Sequence, residues 1–454
     1  MMRQRGGVQM SMFTTSLEDV VAGDHFLRKL ESAVNFEFVY EELKPCYCED
    51  NGKYSTDPVV IVKSLLLGFL YGINSERRLE QEVRYNVAYW WFLGLGVDER
   101  VPDHSTISQL RRRKFNDADL FKKLFVHVLK LCVESGLVSG KLLITDSSHV
   151  KANAAKMSKI TVEIERETSG FFERLDAYEA QERSRLGMPE IERQIPSPKQ
   201  IKQTQSATDP ESGWMRRPGK PEGFHYLSHQ TLDADSGIIV DVEVTAGNTS
   251  DNTPYIEQID NAVEMLDTLD VTVEGVCADS AYDNALIHKE LEARELAVHM
   301  PKKQTSDSSK AEYKREDFIY NREPDVFICP NGQSLTLRTL QRTETGVFRE
   351  YRATQKVCAA CPNRGQRLAP SQKSRKLQVN IFQDIVDKHH ATDGTPEYNA
   401  ALEKRQIWCE GTFAAQKARH NLRNVFRRGL QAAQDHCLLS ATAINLKRLV
   451  NGLG

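Results

Sequence analysis

The stretch "GKLLITDSSHVKANA", Gly140 to Ala154, decides how the rest of the chain is read. Leu142 to Thr145 is a short apolar run suited to a buried strand, and it leads straight into the carboxylate of Asp146. A second stretch, "VTVEGVCADSAYDN" from Val271 to Asn284, repeats the arrangement and reads as a buried strand ending at Asp279. Between them, "HYLSHQTLDADSGIIVDVEVTAG" places two β-rich runs around the turn Asp233 to Gly237, a hairpin signature. The runs "NAVEMLDTLD" and "ALIHKELEAREL" read as helices and "AVHMP" as a brief strand. The order strand, hairpin, helix, strand, helix, strand is that of a mixed α/β sheet.

Outward from this core the character changes. The first hundred residues read as helical. "TDPVVIVKSLLLGFL" offers Thr56 or Asp57 as N-cap and Pro58 in the first turn, and Ser75 caps an amphipathic run that stops at a glycine-rich end near Gly94. "VPDHSTISQLRRRKF" begins another short helix that ends in Arg111, Arg112, Arg113 and Lys114. Two helices with a brief turn and a basic second member are compatible with a helix-turn-helix, and equally with an ordinary bundle carrying a solvated basic end. From Lys156 to about Gly219 the chain is highly charged, helical in period at first and then turn-rich. Thr305 to about Pro396 is polar and β-leaning, and long helices return from Tyr398. Four segments are therefore expected: a helical domain 1–135, a first core part 136–304 carrying the charged insertion 156–219, a β-rich insertion 305–397, and completing helices 398–454.

The 454 residues allow roughly two to four domains. A formal net charge of −3 excludes a global basic signature, so any nucleic-acid surface must be local. One such surface stands at the end: from Ala401 to Gly454 there are nine Lys or Arg against three acids. The start "MMRQRGGVQMSMF" has no apolar core of a secretory signal, and "VVIVKSLLLGFLYGI" is too short to span a bilayer, so a cytoplasmic protein without membrane contact is expected. The scattered cysteines suit a reducing compartment.

Asp146 and Asp279 each close an apolar strand. If those strands are parallel neighbours, the two carboxylates meet at one end of the sheet, where like charges need a divalent cation and hard oxygen donors select Mg²⁺ or Mn²⁺. A pair of such ions would suit phosphoryl transfer. A third carboxylate is on offer in "WCEGTFAAQKARHN", where Glu410 and Lys417 share one helix face. Taken singly, each aspartate is as well explained by a turn or cap, and Glu410 by a solvated face. The ordered set is what points to a site.

That set resembles the DDE transposases of bacterial insertion sequences, most of all the group labelled insertion sequence eleven-eighty-two, related to the IS-four and IS-five transposases. "PDHSTISQLRRR" is similar to the N-terminal motif, "ITDSSHVKANA" to the first catalytic block, "VTAGNTSDNTPY" to the segment after the hairpin, "ADSAYDN" to the second block, and "EGTFAAQKARHNLRNVFRRGL" to the third. The resemblance implies an RNase H-like mixed sheet with an α-helical N-terminal DNA-binding domain and a β-rich insertion before the last catalytic helix. It implies Asp146, Asp279 and Glu410 as the catalytic, metal-binding triad with two Mg²⁺ or Mn²⁺ ions, and Lys417 as a phosphate contact. Arg419, Arg423, Arg427 and Arg428 would continue a DNA-tracking surface, with Arg111, Arg112 and Arg113 as a second one. The partners implied are the element's terminal inverted repeats and target DNA, bound by a homodimer. The wider motif also has a tyrosine and an arginine seven and four residues before the glutamate. Here Glu403 and Gln406 stand there, with Arg405 one residue off. The competing readings are a decayed transposase acting as a repressor, and an RNase H-like nuclease without strand transfer.

Cys329, Cys358 and Cys361 make three quarters of a zinc ribbon, with Arg367 about where a fourth ligand would fall, so they hold a zinc only with a histidine completing the set, and are otherwise a vestigial β-subdomain held by its own packing. His149, His225 and His229 lie near Asp146 or the hairpin without HExxH spacing, which fits packing or DNA contact better than a zinc hydrolase. Cys46-x-Cys48 is too tight for a zinc knuckle.

Overall fold

A computed structural model describes residues 16–47, 55–96, 99–116, 118–166, 169–191, 199–217, 222–303, 314–362, 364 and 373–453. Cys48 and Arg367 lie outside them. The chain folds as two units, one of Met1–Ile160, Gln205–Val273 and Glu403–Gly454, the other of Thr161–Thr204 and Glu274–Leu402.

The first unit is built on an antiparallel sheet. The strand Leu143–Lys151 pairs along the hairpin strand Gly223–Asp233, Asp146 opposite Gln230. On its other edge the hairpin strand takes Gly213–Met215 and then Ile239–Ala246. Every residue of Gly223–Asp233 is buried, as expected of a strand covered on both faces. Asp233 fixes the hairpin turn, its carboxylate accepting from the backbone of Ser139, Gly140, Asp235 and Ser236 at 3.0 Å each. The Asp146 strand does not end at its carboxylate. It continues five residues to Lys151, because the long hairpin strand offers backbone partners throughout.

The helix Leu430–Gly452 runs through the middle of this unit, buried almost along its length. It packs on Ile239–Ala246 and on the helices Leu120–Glu134 and Pro58–Leu70. Asn445, fully buried, accepts from the Ile239 N–H at 2.9 Å and donates to its carbonyl at 2.8 Å, satisfying a backbone pair in an apolar interior. Asp57 is the cap of Pro58–Leu70, accepting from Val59 N at 2.8 Å. Inside that helix Lys63 is buried, held by Glu31 at 2.6 Å. The run expected from Ser75 to Gly94 is two helices, Glu76–Tyr85 and Val87–Leu93. Asn86 between them is extended at φ −107° and caps the second through Ala88 N. Asn competes for local backbone bonds, which is why a periodic run breaks there. No helix among the described residues is long and apolar enough to cross a membrane.

In the second unit the strand Gly275–Cys277 lies parallel to Ala297–His299, with the helix Ala285–Glu292 between them in sequence. A five-stranded antiparallel meander follows, from Ile319–Asn321 through Val326–Ile328, Ser334–Thr343 and Gly346–Arg352 to Lys376–Asn380. Where helical periodicity was expected after Lys156, the chain forms the strand Lys159–Arg166, paired with Lys199–Ser206, and the helix Ser169–Arg185 comes later. The alternation Ile160, Val162, Ile164 is the two-residue period of a strand. In that helix Glu182 pairs with Arg349 of the meander at 2.6 Å, both buried, which fixes helix to sheet.

Candidate functional site

In a strand, residues two apart share a face, so Asp146 and Ser148 point one way and Ser147 the other. Ser147 donates to Asp251 at 2.7 Å. The opposite face meets the C-terminal helices twice. Arg405 Nη1 donates to Asp146 Oδ2 at 3.0 Å, and Lys417 Nζ donates to Ser148 Oγ at 2.5 Å. The helix from Gln406 to Arg419 therefore lies over the Asp146–Ser148 face, and Glu410 stands on it, exposed, between the two bases.

That helix is seated by its apolar side. Cys409, Phe413 and Gln416 are buried, Thr412 accepts from Arg448 at 2.6 Å, and Arg448 stacks over Trp408 with its guanidinium carbon 5.2 Å from the ring. Trp408 lies against the hairpin turn at Gly237, where φ is +72° and an added Cβ would come within 2.3 Å of the indole. Glycine is required there twice over, by conformation and by space.

The segment Gln406–Glu410 is a π turn. In such a turn the backbone bond reaches five residues back instead of four, so residue 405 stands to residue 410 as a residue four back does in an α-helix. The one-residue offset of Arg405 in the sequence motif coincides with this extra residue.

Asp279 follows the strand Gly275–Cys277 by two residues, half-buried, in the second unit. Its Oδ1 accepts from Ala281 N at 2.7 Å, the turn-capping arrangement, and the Tyr282 N–H closes the turn on its carbonyl.

The basic residues divide by exposure. After the helix, the chain runs beside the end of the Asp146 strand: Lys151 N donates to Arg423 O at 3.0 Å and Val425 N to Lys151 O at 2.8 Å. Leu422 and Val425 turn inward, leaving Arg419, Arg423 and Arg428 exposed. Arg423 Nε bonds the Lys417 carbonyl and Arg428 Nε the Asn153 carbonyl. Arg427 is half-buried and bound to Asp435 at 2.8 Å. In the N-terminal cluster Arg112 and Arg113 are exposed. Arg111 is buried against Glu76 and does not reach the surface, so it is not offered to DNA in this structure.

Two histidines flagged near Asp146 are packing residues. His225 is buried and bonded to the Gly223 carbonyl at 3.1 Å. His229 is fully buried, bonded to Thr245 Oγ1 at 2.9 Å, and burial pushes it down to about 4. Cys329, Cys358 and Cys361 line one small cavity beside the apolar core of the meander, with Arg364 and Arg375 at its rim. Cys358 Sγ accepts from Arg375 N at 3.5 Å. Reading the sequence missed Arg405 as a partner of Asp146 and Ser148 as a partner of Lys417. A helix-face count with one added residue would have found the first; nothing in the sequence marks the second.

Two family models match. One described as a transposase domain covers residues 15–113, and one described as a transposase DDE domain covers residues 328–450. The second includes Glu410 and Lys417. No curated protein matches the chain. Among solved structures, the piggyBac transposase synaptic complex with hairpin DNA is 10% identical at a TM-score of 0.35, covering 94% of this chain and 74% of that one. The Mos1 mariner paired-end complex with Mn is 11% identical at 0.17, covering 58% and 65%.

Proposed function

We propose that this chain, a DDE transposase that cuts and joins DNA, works through the carboxylates of Asp146, Asp279 and Glu410. The observation that carries the proposal is the seating of the Gln406–Arg419 helix on the Asp146–Ser148 face through Arg405 and Lys417, with Glu410 between them.

DDE transposases depend on divalent metal, and the residues suit one. The donor set is oxygen only, which fits a hard cation such as Mg²⁺ or Mn²⁺. Asp146 already takes a cationic partner in the Arg405 guanidinium, so this strand face favours positive charge. A bound divalent ion supplies Lewis-acid stabilisation of the charge that builds on the phosphoryl oxygens. Arg405 holds the Asp146 carboxylate in place from the helix side. The Lys417 ammonium, with its three donors, fixes a phosphate of the strand being cut, and Arg419, Arg423 and Arg428 track the backbone beyond it. Asp279 is the third carboxylate this reading requires, and its own turn maintains the shape of the loop that carries it.

In this reading the core is RNase H-like, and the chain belongs with the insertion sequence eleven-eighty-two group. The N-terminal helices, with Arg112 and Arg113 exposed, recognise terminal inverted repeats, and two copies act together on paired ends. The test uses full-length protein, DNA carrying the element's ends, and Mn²⁺. Asp146→Asn, Asp279→Asn and Glu410→Gln should each abolish cleavage while leaving end binding intact. Cleavage unchanged in any of the three removes that residue from the site, and products without strand transfer make the enzyme a nuclease.

A further inference from the structure

In the second unit, three buried histidines and three carboxylates form a cluster that the DNA reaction does not use. Asp283 stands just before the helix Ala285–Glu292, which carries His288 and Glu292, and His389 and His390 end the helix Gln383–His390. His288 Nε2 lies 2.9 Å and His390 Nε2 3.1 Å from the same oxygen, Asp283 Oδ1. The other Asp283 oxygen accepts from Lys303 N at 2.7 Å. Each of the two rings is held from behind. His390 Nδ1 meets Asp393 at 3.2 Å, and His288 Nδ1 meets His389 Nδ1 at 2.8 Å, whose Nε2 in turn meets Glu292 at 2.9 Å.

Counting protons decides what this cluster is. The five contacts made by these rings each need one proton if they are hydrogen bonds. Three neutral histidines carry three, so two of three adjacent buried rings would have to be cationic. The surroundings do not support that. The rings of His389 and His390 are centred 5.1 and 5.4 Å from that of His288, so two cationic rings would crowd like charges together in a buried site. A cation between Asp283 Oδ1, His288 Nε2 and His390 Nε2 replaces two of the protons. His288 then donates through Nδ1 to His389, His389 through Nε2 to Glu292, and His390 through Nδ1 to Asp393. All three rings are neutral and all contacts are satisfied.

We propose that Asp283, His288 and His390 bind a divalent transition-metal ion, zinc being the one whose chemistry fits. Their donor atoms lie within 4.8 Å of one another. Zn²⁺ bound at about 2.0–2.1 Å puts ligand atoms roughly 3.3 Å apart, so the two distances from Asp283 Oδ1, 2.9 and 3.1 Å, open by a few tenths of an ångström to take it. Imidazole donors select against Mg²⁺. The orientation of each ligand histidine by a partner on its far nitrogen is the outer shell that metal-binding histidines carry. Three protein ligands leave the fourth tetrahedral position to water, and a metal here ties the loop leading from Asp279 to two helices independently of the proposed DNA chemistry.

The test is zinc binding by the full-length chain after chelator treatment, in excess Mg²⁺, read by competition with a chromophoric chelator. Wild type should take up zinc at this site, and Cys358→Ser/Cys361→Ser should keep it. His288→Gln and His390→Gln should lose at least about 100-fold in affinity, and Asp393→Asn, which touches only the outer shell, about 10–100-fold. Co²⁺ in the same site should show ligand-field bands without the thiolate charge-transfer absorption of cysteine ligation. No uptake by wild type, uptake lost only in the cysteine variant, or unchanged affinity in folded His288→Gln overturns the proposal. If both histidine variants fail to fold, full affinity in Asp393→Asn does so as well.

Discussion

At the scale of residues, the proposed site is a strand face met by two bases. Asp146 and Ser148 were placed together by the two-residue period of a strand, and Arg405 and Lys417 reach them from one helix. The carboxylates stood out in the sequence only as an ordered set of strand acid, hairpin, strand acid and helix acid, since each alone is as well explained by a turn, a cap or a solvated face. Arg405 was not, since counting in fours along a helix puts Gln406 in its place. Ser148 was not, since a serine carries no pattern of its own. Exposure also sorted what charge alone could not: Arg111 is committed to Glu76 and Arg427 to Asp435, while Arg419, Arg423 and Arg428 stay at the surface. Lys417 therefore carries a specific expectation. Lys417→Gln should weaken binding to all DNA sequences alike and reduce the slope of log affinity against log salt by about one, a single phosphate contact. A loss confined to one sequence, or an unchanged slope, would assign Lys417 to packing on Ser148 alone.

At the scale of elements, the π turn Gln406–Glu410 sets the register at which Arg405 meets Asp146. A π turn is a regular helix with one residue added, and it keeps the faces on either side of it in register. Helix periodicity read from sequence assumes 3.6 residues per turn throughout, so the turn was invisible and its consequence looked like a departure from the motif. The same assumption ran Glu76 to Leu93 together across Asn86. Ile407 is 57% exposed, so it can be removed without opening the core. Deleting Ile407 should convert the turn to plain α-helix, bring Arg405 four residues before Glu410, and leave cleavage within about tenfold of wild type. Adding an alanine after Ile407 should instead swing Arg405 by about 100° off the Asp146 face and abolish cleavage. Circular dichroism would show both variants helical. Equal loss of activity in the two would mean that the extra residue itself, and not the register it preserves, is needed.

At the scale of the molecule, each unit is discontinuous in sequence, since the first is left at Ile160 and again at Val273 and rejoined each time. Elements could be named from their own residues, but which segments bury one another depends on contacts hundreds of residues apart, such as Asn445 with Ile239. The first unit buries three histidines that burial holds down at about 4: His229, His420 and His436. His420 donates to the Phe69 carbonyl and His436 to the Asn421 carbonyl, each at 2.8 Å, bonds that by themselves favour the charged ring, so burial is what holds both down. A histidine depressed from 6.5 contributes stability that is present above 6.5 and lost as pH falls towards 4. Between pH 7 and pH 5 that loss is on the order of 2 kcal/mol for each. Asp241 has the opposite sign: burial, then the charge of Glu243, raises it to about 7, so its contribution grows as pH falls and offsets roughly one histidine. Through these four groups, acidification from pH 7 to pH 5 should therefore cost the first unit ~3 kcal/mol. All four tryptophans, Trp90, Trp91, Trp214 and Trp408, belong to that unit, so the shift of a urea midpoint followed by tryptophan fluorescence reads it directly. Asp241→Asn should raise the midpoint at pH 7 and steepen the fall towards pH 5. A midpoint flat across this range in wild type would mean that the three histidines are solvated on a timescale the folded contacts do not suggest.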